Sequence, residues 1–334
     1  MKSISSWLNV TAGAVCVEVL LAAAPAVHAQ QAPTAKDLAT VIDMLRSPDP
    51  VVRVGVACAK DVFNASATAA IPALIELLND AEPVSPEVCR EDRRRWWGDE
   101  QPITGGQEAA RALVRIGIAS FDPLVKALGS SGATARRNAS WALGALDDQR
   151  AVTPLIGSLR DSEDGVREQA SWALGALDDA RAVQPLLAAL RDRAPAVRRQ
   201  AAWALGAIDD SGAVDALVAA LKDTDSQVRE QCAWALGAIG NARASAGLSL
   251  ALKDSEPRVR RQAAWALGAI DDSGAVDALV AALKDTDSQV REQCAWALGA
   301  IGDARASAGL NLALKDSESR VRRQAAWALG AIAD

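Results

Sequence analysis

The stretch from Ala180 to Asp210, "ARAVQPLLAALRDRAPAVRRQAAWALGAIDD", contains two helical patterns of apolar residues separated by a polar break. Val183, Leu186, Leu187 and Leu190 lie at helical spacing and predict a short first helix. The break "RDRAP" follows, with Pro195 where a helix accepts it, in its first turn. A second helix is expected from about Pro195 to Ile208, stopping at Asp209-Asp210. The same pattern fills residues 118–334 as seven units of 31 residues with no remainder. Two short helices per unit cannot bury an apolar face alone, so successive units must stack, which predicts an all-α solenoid.

Two more divergent units precede the seven, within residues 30–117. "LRSPDPVVRVGVACAKDVF" (Leu45 to Phe63) aligns with "LRDSEDGVREQASWALGAL" (Leu159 to Leu177), which sets Arg53 over Arg167 and Cys58 over Trp172. "QEAARALVRIG" (Gln107 to Gly117) aligns with "EQCAWALGAIG" and sets Arg111 over the tryptophan. Between the helices of that second unit lies an insertion at about 81–106, rich in Pro, Gly and charge, which reads as a loop. At the other end, residues 211–272 and 273–334 differ only at Asn241/Asp303, Ser249/Asn311, Pro257/Ser319 and Asp271/Ala333, the mark of a two-unit duplication.

Residues 1–29 stand outside the repeats. Lys2, an apolar stretch around Val17 to Ala26 and the small-x-small site Val27-His28-Ala29 form the pattern of a cleaved signal peptide, despite Glu18 within the apolar stretch. The uncharged run falls short of the ~20 residues that span a bilayer. Export to the periplasm or the medium is therefore expected, without membrane insertion once the peptide is removed. The only His of the chain is His28, so the exported form has none, and the chain has no Tyr. A net charge of −6 carries no general attraction for nucleic acid or anionic membrane.

The unit "DDARAVQPLLAALRDRAPAVRRQAAWALGAI" resembles the HEAT-like repeats of the phycobilisome-lyase type, with their "D-x-x-A-V-x-x-L" first helix and "V-R-x-x-A-x-x-A-L-G-x-I" second helix. The resemblance covers about residues 36–334 and implies a right-handed α-solenoid of about nine repeats whose second helices line a concave surface. It is poorly specific for function. Relatives of this architecture include bilin lyases and a di-iron hydroxylase that holds its metals with His-Glu pairs. Without His, neither that metal set nor a His-assisted nucleophile is available, and nothing marks a tetrapyrrole pocket. No enzyme, metal or cofactor is expected.

Aromatic residues concentrate in one slot. Trp141, Trp172, Trp203, Trp234, Trp265, Trp296 and Trp327 recur every 31 residues in a chain with 10 Trp and 2 Phe. On a helical wheel of about 100° per residue, Val166, Ala170, Ala173, Leu174 and Leu177 share the core face, and Trp172 lies about 140° from its centre, beside Glu168 and Gln169. The indoles serve either as packing between adjacent second helices or as a groove for a ligand, and the pattern leaves both open. The slot also resembles the "AAWALSN" helix of armadillo proteins, where a Trp array holds extended peptides. Ala176, Ala207, Ala238, Ala269, Ala300 and Ala331 stand where that family has its backbone-clamping Asn. Gln169, Gln200, Gln231, Gln262, Gln293 and Gln324 are the available substitutes. These residues define the expected site of a protein-binding scaffold for an extended, Pro- or aliphatic-rich segment, with a structural spacer as the alternative.

Four residues before each Trp the charge alternates: Arg137, Glu168, Arg199, Glu230, Arg261, Glu292, Arg323. Helices packed about 8–10 Å apart bring these within reach, so an inter-repeat salt-bridge ladder is expected. Arg136, Arg167, Arg198, Arg229, Arg260, Arg291 and Arg322 are expected to pair with loop acids such as Asp161 or Asp192. Cys232 and Cys294 replace core Ala and, roughly 20 Å apart, exceed the Cα separation of about 7 Å that a disulfide allows. A Cys58–Cys89 disulfide is expected to tie down the insertion. The near-consensus last unit shows no polar cap, so fraying or self-association through it is expected.

Overall fold

The computed structural model describes residues 35–89 and 102–333; the signal-peptide pattern at 1–29 and the middle of the insertion lie outside them. No described helix is long and apolar enough to cross a membrane. The chain divides into two compact units, the boundary falling between Leu146 and Asp147.

In the first unit, α1 (Ala35–Leu45) and α2 (Pro50–Ala57), α3 (Ile71–Leu77) and α4 (Gly105–Ile116), and α5 (Phe121–Ala127) and α6 (Ala133–Ala145) form three helix pairs. The second helices α2, α4 and α6 stack in that order. Between α3 and α4, β1 (Pro83–Val84) and β2 (Ile103–Thr104) pair antiparallel and close the base of the insertion. The expectation of a loop with no further helix meets this ribbon and a 3₁₀ turn at Pro86–Cys89. Thr104 then starts α4 with a reciprocal capping box with Gln107.

The second unit repeats one design six times: α7 (Val152–Ser158) with α8 (Asp164–Ala176), α9 (Val183–Ala189) with α10 (Pro195–Ile208), α11 (Val214–Ala220) with α12 (Ser226–Ile239), α13 (Ser245–Ala251) with α14 (Pro257–Ile270), α15 (Val276–Ala282) with α16 (Ser288–Ile301), and α17 (Ser307–Ala313) with α18 (Ser319–Ala333). Each second helix packs on its own first helix and on the second helices of the neighbouring repeats within this unit. The core face is the one the wheel selects: Val166, Ala170, Ala173, Leu174 and Leu177 are buried, and so are their counterparts Val197, Ala201, Ala204, Leu205 and Ile208. Cys232 and Cys294 are buried free thiols in this face, and burial pushes both far above the ordinary thiol range.

The helix-ending Asp pair has two distinct tasks. Its first member takes the left-handed conformation that closes the second helix, at φ 50° for Asp178, 56° for Asp209 and 59° for Asp271. Gly240 and Gly302 hold that place without the Cβ penalty. The second member caps the 3₁₀ turn leading into the next repeat, as Asp210 does by accepting the Gly212 amide at 2.7 Å.

An arginine clamp joins the repeats. Arg198 Nε donates to Asp223 Oδ2 and Nη2 to Asp223 Oδ1, both at 2.7 Å, across to the next repeat. Its Nη1 donates to the carbonyls of Asp192 and Arg193 in its own inter-helix loop. The same geometry recurs at Arg167–Asp192, Arg229–Asp254, Arg260–Asp285 and Arg291–Asp316. Of the two acids expected for Arg167, Asp192 is the carboxylate partner, and Asp161 contributes its backbone carbonyl at 2.8 Å. Burial pushes the Asp192 carboxyl up, but the Arg167 guanidinium and the Ala194 amide outweigh it and hold it below the usual carboxylate range. Arg53 repeats the clamp in the first unit, with Asp80 at 2.8 Å and the carbonyls of Ser47 and Pro48.

Candidate tryptophan-lined binding face

The outward face of the second helices in the second unit carries the indoles. Trp172, Trp203, Trp234, Trp265 and Trp296 are partly buried, and Trp327 is 49% exposed. Their seats are set by the glycine of each "ALG" motif. A Cβ on Gly206 would lie 2.7 Å from Ala235 Cα and 2.9 Å from Cζ3 of Trp234, so only Gly lets the next helix and its indole approach this closely. Trp265 meets Gly237 in the same manner, Trp296 meets Gly268, and Trp327 meets Gly299. One edge of each ring is thus packing between repeats, while the remaining surface stays open to solvent. The packing reading of the slot holds at that edge. In the first unit Trp141 occupies the same slot on α6 and is partly buried.

Beside the rings stand amides with nothing to bind. Gln169, Gln200, Gln231, Gln262 and Gln293 are partly buried, and among the described residues none of their side chains has a hydrogen-bond partner within the chain. An amide offers two donors and an acceptor, so this row can serve the backbone of a ligand. A shallow cleft of about 530 Å³ runs across three repeats, lined by Arg199, Trp203, Gln227, Glu230, Gln231, Trp234, Arg258 and Gln262. A second, of about 470 Å³, adjoins it between Glu230, Glu256, Pro257, Arg258, Arg261, Asp287 and Gln289.

The expected continuous salt-bridge ladder is corrected by the geometry. Among the described residues one rung closes as expected, Arg199 to Glu168 at 3.3 Å. Glu292 approaches Arg320 at 3.9 Å, seven residues before Trp327, in place of Arg323. Arg199 and Arg261 instead donate from Nη1 to Gln227 Oε1 at 2.6 Å and to Gln289 Oε1 at 2.7 Å in the following repeat. The bond to a neutral amide holds Arg261 without cancelling its charge, whereas Arg199 has its amide bond in addition to Glu168. Gln227, Arg258, Gln289 and Arg320, seven residues before their Trp, were not singled out from the sequence. Carrying the wheel one turn further back would have found them, because seven residues make almost two full turns.

In the first unit, Cys58 at the C-cap of α2 and Cys89 at the end of the 3₁₀ turn are joined as a disulfide, with Cα atoms 6.0 Å apart. Val54, Val84, Cys89 and Ile103 form a small core around it, with Cys58 and Val88 packed alongside. The Glu108 carboxylate, 2% exposed, lies within 4.8 Å of both sulfurs and accepts from Arg111 Nη1 at 3.1 Å. Nothing in the sequence pattern marked Glu108.

The profile of HEAT repeats matches residues 99–175, 121–194, 183–250 and 245–330. The chain is a HEAT-repeat protein. No curated protein sequence matches it. Among solved structures, this HEAT array is similar to yeast importin-beta (Kap95p), with 17% identity and a TM-score of 0.63 over 88% of this chain and 46% of that one. The Escherichia coli protein YibA aligns with 18% identity and a TM-score of 0.56 over 90% and 99%. The CpcE–CpcF complex of phycocyanin lyase from Nostoc aligns with 26% identity and a TM-score of 0.44 over 64% and 94%. At these identities the importin and YibA likenesses show the fold.

Proposed function

We propose that this HEAT-repeat protein is a non-enzymatic scaffold that holds an extended segment of a partner protein on the tryptophan face of its second unit. One observation carries the reading: partly exposed indoles alternate along that face with Gln amides that have no partner within the chain. Indoles anchor apolar or prolyl side chains, and amides address the backbone between them. Helices about 8–10 Å apart match about three residues of extended or polyproline chain, so every third ligand residue meets a ring. Yeast importin-beta, a solenoid of similar fold, has been captured in a complex with Nup1. We further propose that the chain is exported, from the pattern at residues 1–29 and from its paired Cys58 and Cys89. The spacer alternative rests on the glycine-seated edge of each ring, which stays satisfied without a ligand.

The test is selection of displayed extended peptides on the chain, with affinities then measured against Trp203→Ala and Trp234→Ala. Peptides with Pro or aliphatic residues at three-residue intervals should be enriched, and each substitution should weaken them about tenfold with helicity retained. Equal affinity for the wild-type and variant faces would leave the tryptophans as packing alone.

A further inference from the structure

The charges beside the tryptophans form stripes. In the second helices from α10 to α18, the positions four and seven before Trp carry Arg199 alone, then Glu230, then Arg258 with Arg261, then Glu292, then Arg320 with Arg323. Positive and negative bands alternate, one repeat each. Two ion pairs cross between bands, Arg199 to Glu168 of the preceding repeat at 3.3 Å and Glu292 to Arg320 at 3.9 Å. The middle of the face is not neutralised. Glu230 and Arg258 line the same cleft and, among the described residues, neither has an ion-pair partner within 4.0 Å. Arg261 spends its hydrogen bond on the neutral Gln289 amide and keeps its charge.

We infer that the ligand of this face is an extended protein segment with an acidic residue at about every sixth position and a basic residue midway between. The inference rests on the reading of the tryptophan face as a peptide groove. Its period follows from the stripes. Two repeats span about 16–20 Å, and six residues of polyproline or extended chain cover about 19–20 Å. A basic side chain set opposite Glu230 is then followed by an acidic one opposite Arg258 and Arg261, and preceded by an acidic one at Arg199, which Glu168 already contacts. The intervening Pro or aliphatic residues fall on Trp203 and Trp234. A uniform polyanion such as nucleic acid would meet Glu230 and Glu292 at every second repeat, which like-charge repulsion disfavours.

Three 18-residue peptides test this on the full chain: repeats of Glu-Pro-Pro-Lys-Pro-Pro, the same peptide with Gln at every charged position, and the all-acidic Glu-Pro-Pro-Glu-Pro-Pro form. The alternating peptide should bind about tenfold more tightly than the Gln form at low salt, and the advantage should shrink as salt rises. Glu230→Arg with Glu292→Arg should abolish that advantage and transfer the preference to the all-acidic peptide. Equal binding of the alternating and Gln peptides, both lost in Trp234→Ala, would overturn the charge inference and leave the groove standing. Failure of all three peptides to bind would sink the groove reading itself. Tighter binding of single-stranded oligonucleotide than of any peptide would overturn the inference. So would a dimer, seen in sedimentation, that Glu230→Arg dissociates, since the stripes would then serve a second copy of the chain.

Discussion

The two units solve one problem alike and another differently. Arg53 in the divergent first unit and Arg198 in the regular second unit make the same clamp, with an Asp across the repeat boundary and two carbonyls of their own loop. The outward slot a little over one turn further on is kept only in part. The second unit fills it with Trp throughout, whereas in the first unit only the last repeat has a Trp there, Trp141, and Cys58 and Arg111 stand in its place beside the insertion and the buried Glu108. The clamp therefore belongs to the fold, and the slot is free to vary without loss of the clamp.

The largest effects should come from breaking the clamp where it is complete. Arg291→Ala strands the mostly buried Asp316 carboxylate and should cost about 3–5 kcal/mol in chemical denaturation. Arg322→Ala removes a side chain that, among the described residues, bonds only to the carbonyls of Asp316 and Ser317 and should cost about 1 kcal/mol. Equal losses would mean that the carboxylate half of the clamp contributes nothing. The same carboxylates set the acid response. Asp192, Asp223, Asp254, Asp285 and Asp316 all lie below their ordinary values when folded. Their contribution is whole above the unfolded value of about 3.9 and is lost as pH falls below it through the folded values. Thermal melts should therefore be flat in this respect above about pH 5 and fall steeply below about pH 4.

Reducing the Cys58–Cys89 bond tests the other side of the comparison. The first unit should lose about 2–4 kcal/mol and the second nothing, since Cys232 and Cys294 are unpaired and buried. Hydrogen exchange with and without reductant would locate the loss, and a change spread evenly over both units would refute the separation. Trp234→Ala should cost about 2 kcal/mol and Trp327→Ala, half exposed, under about 1. Smallest of all, Asp209→Gly should stabilise by about 0.5–1 kcal/mol by relieving a left-handed Asp, as Gly240 already does in the next repeat. A destabilised Asp209→Gly would mean that the side chain has a role beyond ending the helix.

The repeat period, both helices of each unit, the core face and the arginine partners were legible in the sequence, because a 31-residue pattern repeats every local signal seven times. The Cys58–Cys89 pairing followed from aligning one divergent unit with its sisters. What escaped was whatever depends on the distance between neighbouring repeats. A wheel drawn for one helix places Trp234 on the outside. It does not show that the Gly206 of the preceding helix leaves room for the ring, or that Arg199 reaches Gln227 before it reaches Glu230. Glu108 was hidden for a related reason: its neighbours come from α2 and from the insertion, so no local period points to them.

The arginine–glutamine bonds carry a rule of parity. Arg199 to Gln227 and Arg261 to Gln289 join repeats of unlike kind, and the bond recurs after 62 residues, not 31. Adding a single repeat would place two of one kind side by side, with like charges abreast and no amide to receive the guanidinium. Adding a pair leaves every junction of a sort already present. The near-identity of residues 211–272 and 273–334 is growth of the second kind. An array built this way lengthens in even steps, keeping the phase of its surface whatever its length.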